Sequence, residues 1–220
     1  MGRKKLLRFE YITQTVNVLE AGKPLYKTIK GKWNELIFGN NNPIILELAC
    51  GKGEYTVGLA RQFPNKNFIG VDVKGDRIAV GSKNAIDDGL SNVAFLRANI
   101  YFLNDFFELN EVSEIWITFP DPFNIKLGRE NRRLTHVRYL TIYQNILKSN
   151  GLLHLKTDDR DFFDYSIQQC SIFGINELKT TNNLYESQFM DIHFGIQTKF
   201  EQIFIDKGLT INYLQCKLPE

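Results

Sequence analysis

The densest group of chemically useful residues lies between positions 47 and 54. An apolar run, Ile44–Ala49, leads directly into the segment Glu-Leu-Ala-Cys-Gly-Lys-Gly-Glu, with glycines at 51 and 53. Glycine allows a backbone to turn tightly and to pass close to a ligand. Asp72 ends the next apolar run, nineteen residues after Gly53, where a carboxylate can accept hydrogen bonds from ribose hydroxyls. This order predicts a nucleoside site that includes Gly51, Gly53 and Asp72, although a tight turn without a ligand would use the same glycines.

The spacing of the glycines bears on which nucleoside would bind. A dinucleotide site requires G-x-G-x-x-G, with a pyrophosphate at the helix N-terminus. Here the glycines read G-K-G, and Glu54 opens the expected helix, where its charge would repel a pyrophosphate. Glu47 is a second acid that suits a cationic ligand. S-adenosylmethionine, a cationic nucleoside without phosphates, therefore fits better than NAD, whose enzymes would also need a proton-shuttling side chain.

A second group of residues follows the fourth expected strand, in the segment Thr118-Phe-Pro-Asp-Pro-Phe123. Proline fixes its own φ and favours extended conformations in the residue before it. Pro120 and Pro122 are therefore expected to keep Phe119 and Asp121 extended, with the carboxylate aimed into the crevice at the carboxyl ends of the strands. A plain turn at the strand end would also use aspartate and proline.

Positive charge is concentrated in two segments, although the net charge is only +2. Residues 3–8 contain four bases and no acid, and residues 126–138 contain five bases and one acid. This distribution is typical of a surface that faces a polyanion, although solvated charged faces would look the same. Because the second segment follows Asp121 closely, the pattern suggests chemistry on nucleic acid.

Composition and residue spacing exclude several classes of protein. Apolar residues make up 43% and charged residues 24% of the 220 residues, as in an ordinary globular protein. No apolar run approaches the length of a membrane span and no leader is visible, so we expect no membrane partner and a cytoplasmic location. The cysteines and histidines are scattered without metal-ligand spacing, so we expect reduced thiols and no metal. The sequence leaves monomer and homodimer equally open.

Short apolar runs that alternate with helical patterns indicate the elements that position these residues. Near-continuous apolarity indicates strands buried on both faces, and glycine or proline closes most of the helices. The expected strands are Ile44–Ala49, Asn67–Val73, Val93–Ala98, Glu114–Phe119, Gly151–Lys156 and Leu209–Leu218. The expected helices are Glu54–Gln62, Asp76–Asp88, Thr135–Ser149, Asp161–Phe173 and Thr198–Lys207. This pattern predicts an α/β fold with a mostly parallel sheet, helices on both faces and an antiparallel C-terminal strand, in one domain whose residues 1–40 form a basic arm and leading segment.

Two helix starts near the expected crevice also have a purely structural interpretation. Thr198-x-x-Glu201 is the pattern of a capping box, in which both side chains bond backbone amides at the helix start. Asp158 precedes the helix expected at 161 and could likewise cap it or form a turn. Capping and ligand binding are compatible at a helix start that faces an active site.

The order of these motifs resembles that of the bacterial tRNA (guanine-N7)-methyltransferase family. The matching segments are E-x-x-x-G-x-G at 47–53, G-V-D at 70–72, F-P-D-P-F at 119–123, R-R-L-T at 132–135, K-T-D at 156–158 and T-K-F-E at 198–201. The resemblance extends from about Arg3 to the C-terminus. It implies a class I Rossmann-like fold and methyl transfer from S-adenosylmethionine to guanine 46 in the tRNA variable loop.

The resemblance also implies roles for individual residues. The methyl donor's site would be lined by Glu47, Asp72, Asn99 and Asp121, and Asp121 would be catalytic. The tRNA guanine would be held by Lys126, Asp158, Thr198, Lys199, Phe200 and Glu201. Guanine N7 has a lone pair and no proton at neutral pH, so an in-line displacement requires the enzyme to orient the base and to offset positive charge on its ring. A fixed carboxylate at Asp121 suits that task.

Three departures from the family pattern affect these assignments. Ala49 replaces the usual glycine, and Asn99 replaces the usual aspartate, whose charge an amide lacks. Phe123 stands where the family favours tryptophan, and the stretch after it is one residue longer, which affects the assignment of Lys126. These departures would favour the alternative of a non-catalytic tRNA-binding relative.

Overall fold

One eight-stranded sheet forms the centre of the computed structural model, which describes residues 2–123 and 128–219. The strands are β1 (Val18–Leu19), β2 (Ile44–Leu48), β3 (Asn67–Asp72), β4 (Val93–Arg97), β5 (Val112–Thr118), β6 (Leu147–Thr157), β7 (Leu178–Thr181) and β8 (Asn212–Lys217). The helices are α1 (Arg3–Gln14), α2 (Glu54–Gln62), α3 (Gly75–Asp87), α4 (Val137–Ile146), α5 (Arg160–Ile172) and α6 (Lys199–Asp206). A 3-10 segment, Ile100–Asp105, follows β4.

The strand order places a ligand-binding crevice beside β2. The sheet runs β1-β4-β3-β2-β5-β6-β8-β7, parallel from β1 to β6 and antiparallel among β6, β8 and β7. From β2 the chain moves outward through β3 and β4, then returns to place β5 on the other side of β2. Ligands of such sheets bind at the carboxyl ends of the strands where the order reverses. The expected α/β fold with an antiparallel C-terminal strand is confirmed.

Alternate residues of β2 pack into two different cores. Leu46 and Leu48 belong to the apolar cluster that contains Trp33 and the buried faces of α4 and α5. Ile45 belongs to the cluster on the opposite face, which contains Tyr55 and the buried faces of α2 and α3. This double burial explains the near-continuous apolar runs in the sequence and fixes the strand ends that carry the site.

The largest differences from the expected element boundaries lie at the junction of α4 and β6, where β6 begins at Leu147 instead of Gly151, and at the start of β8. The helix expected over 135–149 extends only over Val137–Ile146, because Leu147 already pairs with Val112 and begins β6. His136 starts this helix by accepting a hydrogen bond from the backbone amide of Arg138. The final strand begins at Asn212 rather than Leu209, since the half-exposed Leu209 still belongs to the turn after α6.

The first 40 residues contribute elements to the fold. Helix α1 lies against α3, with Ile12 completely buried between them. A Cβ at Gly75 would lie 2.7 Å from Cδ1 of Ile12, so glycine permits this close approach. Strand β1 pairs with β4 and forms one edge of the sheet.

Candidate active site

Two adjoining cavities open at the carboxyl ends of β2 and β5. Their volumes are about 400 and 340 Å³, and they share Ala49, Arg77 and Phe119. The first is lined by Glu47, Gly51, Glu54, Thr118, Thr198, Lys199 and Phe200, among others. The second is lined by Asp72, Asn99, Asp121, Arg132, Arg138 and Tyr139, among others. Most of the expected site residues therefore meet in one crevice, whereas Gly53, Asp158 and Glu201 are not part of its lining and Lys126 lies outside the described residues.

The glycine loop has the conformation that its sequence requires. Gly51 and Gly53 have φ angles of +55° and +67°, and a Cβ at Gly53 would lie 2.6 Å from Cε1 of Phe95. A Cβ at Gly51 would meet no atom within 4 Å, so this part of the loop borders open space in the first cavity. Ala49 also has a positive φ, +57°, which is strained for a residue with a Cβ. Glycine at this position would remove that strain.

Glu47 lies buried at the base of the first cavity. Its Oε1 accepts a hydrogen bond of 2.6 Å from Thr118 Oγ1, and its Oε2 accepts from the backbone amide and the hydroxyl of Thr56. Burial raises the pKa of this carboxyl to about 7, although the hydrogen bonds act in the opposite direction. A cation bound in the cavity would favour the ionised form of Glu47.

Asp72 and Asn99 lie on the second cavity. Oδ2 of Asp72 accepts from the backbone amide of Gly51 at 2.9 Å, and Oδ1 accepts from that of Lys74 at 2.8 Å. These bonds join the carboxylate to the glycine loop and to the start of α3. Asn99 is exposed, and its Oδ1 accepts from the backbone amide of Tyr101 at 3.0 Å. The amide at 99 therefore begins the 3-10 segment that follows β4.

The Asp121 loop is held in a less extended form than expected. Asp121 is exposed and lines the second cavity. The expectation of an extended Phe119 was wrong, because its φ is +48°, and Phe123 on the other side has a φ of +39°. Two left-handed residues therefore bracket the Pro120–Pro122 segment, so the loop turns sharply on both sides of the carboxylate. Non-glycine residues adopt this conformation at a cost that the surroundings must offset.

Arg133 supports the Asp121 loop through hydrogen bonds to its backbone carbonyls. Its Nε donates to the backbone carbonyls of Pro122 at 2.6 Å and of Phe123 at 3.1 Å. The guanidinium is buried and lies over the ring of Tyr165, 4.6 Å from its centroid. The sequence identified Arg133 only as part of the basic segment and of R-R-L-T, whereas the structure shows a buried support of the Asp121 loop.

The first turn of α6 forms one wall of the first cavity. Thr198 Oγ1 accepts from the backbone amide of Glu201 at 3.1 Å, and Glu201 Oε2 accepts from that of Thr198 at 3.4 Å, so the capping box is present. Glu54 Oε2 accepts from the backbone amide of Lys199 at 2.8 Å and joins α6 to α2. Phe200 is 60% exposed at the mouth of the cavity.

Glu201 faces the protein interior instead of the cavity. Its Oε1 lies 2.6 Å from Nζ of Lys156 and accepts a hydrogen bond of 2.8 Å from Tyr185 Oη. Burial lowers the pKa of Lys156, and the charge of Glu201 opposes that shift. Lys156 appeared in the sequence as part of K-T-D without a role of its own, because its partner lies on a distant segment.

Asp158 is not the cap of α5. Asp159 takes that position, and its Oδ1 accepts from the backbone amide of Phe162 at 2.6 Å. The Asp158 side chain is partly buried, and burial raises its pKa. A hydrogen bond to its own backbone opposes this shift.

Residues 2–123 and 128–219 contain neither a metal-binding type of side-chain cluster nor a membrane-spanning type of helix. No cluster of three histidine, cysteine, aspartate or glutamate side chains in these ranges is placed to hold a metal ion. No helix in the same ranges has the length and apolarity needed to cross a membrane.

Comparisons with known proteins identify relatives along nearly the whole chain. A family model described as a putative methyltransferase matches residues 41–214. The tRNA (guanine-N(7)-)-methyltransferase of Cytophaga hutchinsonii is 42% identical, with coverage of 98% of this chain and 97% of the relative. The protein of the same name from Christiangramia forsetii is 43% identical, with coverage of 99% and 100%.

Solved structures support the fold at lower identity. The 16S rRNA methyltransferase KamB superposes with a TM-score of 0.60 at 13% identity, over 84% of this chain and 92% of the other. TrmN from Thermus thermophilus gives a TM-score of 0.55 at 17% identity, over 96% of this chain and 52% of the other. Together with the full-length relatives and the arrangement of the crevice, these matches show that the chain belongs to the tRNA (guanine-N7)-methyltransferase family and has the class I methyltransferase fold.

Proposed function

We propose that this protein transfers a methyl group from S-adenosylmethionine to N7 of guanine 46 in the variable loop of tRNA. The observation that carries the proposal is the position of Asp121. Its exposed carboxylate lines the second cavity together with Arg132 and Arg138 of the basic segment. An acid and two cations that suit phosphate groups thus line one nucleoside-type cavity, and the full-length relatives are named tRNA (guanine-N(7)-)-methyltransferase.

The polar and charged side chains that line the crevice fit S-adenosylmethionine. Each carboxylate oxygen of Asp72 accepts one backbone N–H, which leaves lone pairs for ribose hydroxyls. Asn99 and Asp121 line the same cavity. The adjoining cavity contains both acidic and basic side chains, which suits a cofactor with a sulfonium cation, an ammonium group and a carboxylate; these side chains are Glu47, Glu54, Lys52, Arg77 and Lys199. When bound, this cofactor supplies a methyl group on a positively charged sulfur atom.

The residues of the chain would orient the guanine and offset its developing charge. Guanine N7 has an in-plane lone pair and no proton at neutral pH, so no side chain would have to remove a proton while N7 accepts the methyl group and S-adenosylhomocysteine leaves. Asp121 would stabilise the cationic ring that results, because a preorganised carboxylate needs no rearrangement during the step. The first turn of α6, with Lys199 and the exposed ring of Phe200, would hold the base against the first cavity.

Two basic surfaces would bind the phosphates of the tRNA. Arg3, Lys4 and Arg8 are exposed on α1, and Arg129 and Arg132 are exposed in the segment after the Asp121 loop. Lysine and arginine contacts to phosphates release condensed counterions and supply much of the affinity for nucleic acid. Since tRNA would be the substrate, we propose a cytoplasmic location.

A methylation assay on unmodified tRNA tests the proposal directly. Purified protein and S-adenosylmethionine should produce 7-methylguanosine, detected by mass spectrometry of digested nucleosides. A tRNA with adenine in place of guanine 46 should remain unmodified. Binding of tRNA without methylation would instead support the non-catalytic alternative, and methylation of another base would show that the target is wrong.

A further inference from the structure

Two neighbouring aromatic side chains are exposed beside the second cavity. Tyr101 and Phe102 belong to the 3-10 segment that begins after Asn99, and they are 47% and 50% exposed. Their rings contact each other edge to face, with centroids 5.4 Å apart. Neither ring belongs to the two buried apolar clusters. The fold therefore presents an aromatic surface to solvent instead of packing it into a core.

A partly buried arginine is fixed against this surface. The guanidinium carbon of Arg138 lies 4.7 Å from the ring centroid of Tyr101 and 4.8 Å from that of Tyr139. Its Nη2 donates to Tyr139 Oη at 3.4 Å, and Tyr139 is itself buried. Arg138 thus presents a preorganised cation next to the exposed rings, with less freedom than a typical surface arginine.

The cluster adjoins the proposed catalytic residues. Arg138 and Tyr139 line the second cavity together with Asp121. Asn99, on the same cavity, accepts the backbone N–H of Tyr101. A nucleotide that contacts the exposed rings would therefore lie at the rim of the cavity in which the methyl donor is proposed to bind.

We infer that Tyr101, Phe102 and Arg138 form a stacking platform for an unpaired nucleotide of the RNA that neighbours the methylated guanine. The inference rests on the proposed function and adds a contact that the family motifs do not assign. Aromatic rings stack on any unpaired base, and arginine both stacks and pairs with phosphate. A second copy of the chain is a less suitable occupant, because a twofold interface would bring the same basic patch of each copy together.

Binding measurements with a ring-deleting variant test the platform. The double substitution Tyr101→Leu with Phe102→Leu removes both rings but keeps apolar side chains of similar size. Loss of one stacked base should weaken tRNA binding by roughly 5- to 150-fold. The slope of log K against log salt concentration should stay the same in this variant, because no phosphate contact is removed. Arg138→Gln should make the slope shallower by the amount expected for about one phosphate contact. Leu109→Ala, an exposed apolar residue in the loop before β5, is the matched control and should bind tRNA like the wild type.

Abasic tRNAs then identify the stacked nucleotide. The wild type should lose affinity when one particular position next to guanine 46 is made abasic, and the double variant should show no further loss at that position. The platform is overturned if the double variant and the wild type bind tRNA with equal affinity. It is also overturned if both proteins lose the same affinity at every position that is made abasic. A change of sedimentation in the double variant with unchanged tRNA affinity would assign the rings to a self-association surface and also overturn it. If the wild type fails to methylate tRNA, the proposed function fails, whereas the platform alone fails when the wild type methylates normally and the double variant binds as tightly.

Discussion

Nζ of Lys156 lies 2.6 Å from Oε1 of Glu201, and both side chains are completely buried. Lys156 is near the carboxyl end of β6, and Glu201 is in the first turn of α6. The hydroxyl group of Tyr185 donates a hydrogen bond to the same carboxylate oxygen. The ion pair therefore fixes the start of α6, where Thr198 and Lys199 line the first cavity, relative to the central sheet.

We predict that removal of either partner destabilises the protein strongly. Lys156→Met or Glu201→Gln leaves an uncompensated buried group, so the free energy of unfolding should fall by about 3–5 kcal/mol. Urea denaturation measures this quantity. Lys83→Met is the control, because Lys83 pairs with Asp87 on the exposed surface of α3, where solvent screens the pair and its contribution to stability is small. A similar decrease in the free energy of unfolding in all three variants would show that the buried pair contributes no more to stability than the exposed one.

Much of the site could be predicted from the sequence because its positions are set locally. The glycine loop follows a strand directly, and Asp72 and Asp121 come at or just after strand ends, so strand–helix alternation alone brings them to one edge of the sheet. The apolar runs of β2 and β5 were visible for the same reason, since both faces of these strands are buried.

Contacts between distant segments could not be predicted. The Thr198–Glu201 pattern indicated a cap, which the structure confirms, but no local pattern pairs Glu201 with Lys156 across 45 positions of the chain. Arg133 looked like a surface base until its contacts to the Asp121 loop were visible. The end of α4 was missed because Ile146 and Leu147 suit a helix as well as a strand, and pairing of Leu147 with Val112 decides between them.

Glu47 should make cofactor binding depend on pH. Burial raises the pKa of this carboxyl to about 7, and a bound cation would favour the ionised form. Affinity for S-adenosylmethionine should therefore be highest above this pKa, where Glu47 is ionised. It should fall roughly tenfold as the pH is lowered from 7.5 to 6. Calorimetric titration across this range measures the effect. Glu47→Gln should bind weakly with little dependence on pH, while the exposed control Glu177→Gln should follow the wild type. A wild-type affinity that is constant across this range would contradict the assignment of Glu47 to the cofactor.

Ala49→Gly should stabilise the loop. At a φ of +57°, alanine is strained by about 1–2 kcal/mol relative to glycine, and the greater freedom of glycine in the unfolded chain offsets about half of this. We expect a net gain of roughly 0.5–1 kcal/mol in the free energy of unfolding. Ala60→Gly in the interior of α2 is the control, where the same substitution should cost about 1 kcal/mol or more. The two substitutions must therefore shift the urea midpoint in opposite directions.

The basic residues of α1 should contribute to tRNA binding through phosphate contacts. If both basic segments together contact about five phosphates, the logarithm of the binding constant should fall with that of salt concentration with a slope of roughly −4. Arg3→Gln, Lys4→Gln and Arg8→Gln combined should flatten this slope by about 2 and leave binding of S-adenosylmethionine intact. Substitution is preferable to deletion because α1 packs against α3 through Ile12. Lys148→Gln with Lys179→Gln, on exposed positions of β6 and β7, should leave the slope unchanged. An unchanged slope in the α1 variant would mean that its charges face only solvent.

Asp121 should act through its charge rather than by moving a proton. Its proposed partner, guanine N7, carries no proton at neutral pH, so the reaction leaves no proton for Asp121 to accept. At saturating S-adenosylmethionine, which removes the effect expected from Glu47, the single-turnover rate should be nearly constant between about pH 6.5 and 8.5. Asp121→Asn keeps the shape of the side chain but loses the charge, so the rate should fall by about 10²-fold with an equally flat pH profile.

Single-turnover measurement is required because slow product release could hide the chemical step. Asp87→Asn on the exposed end of α3 should react like the wild type. A wild-type rate that rises with pH and becomes flat in Asp121→Asn would show that Asp121 accepts a proton, and the electrostatic role would then be wrong even if the methylated product were 7-methylguanosine.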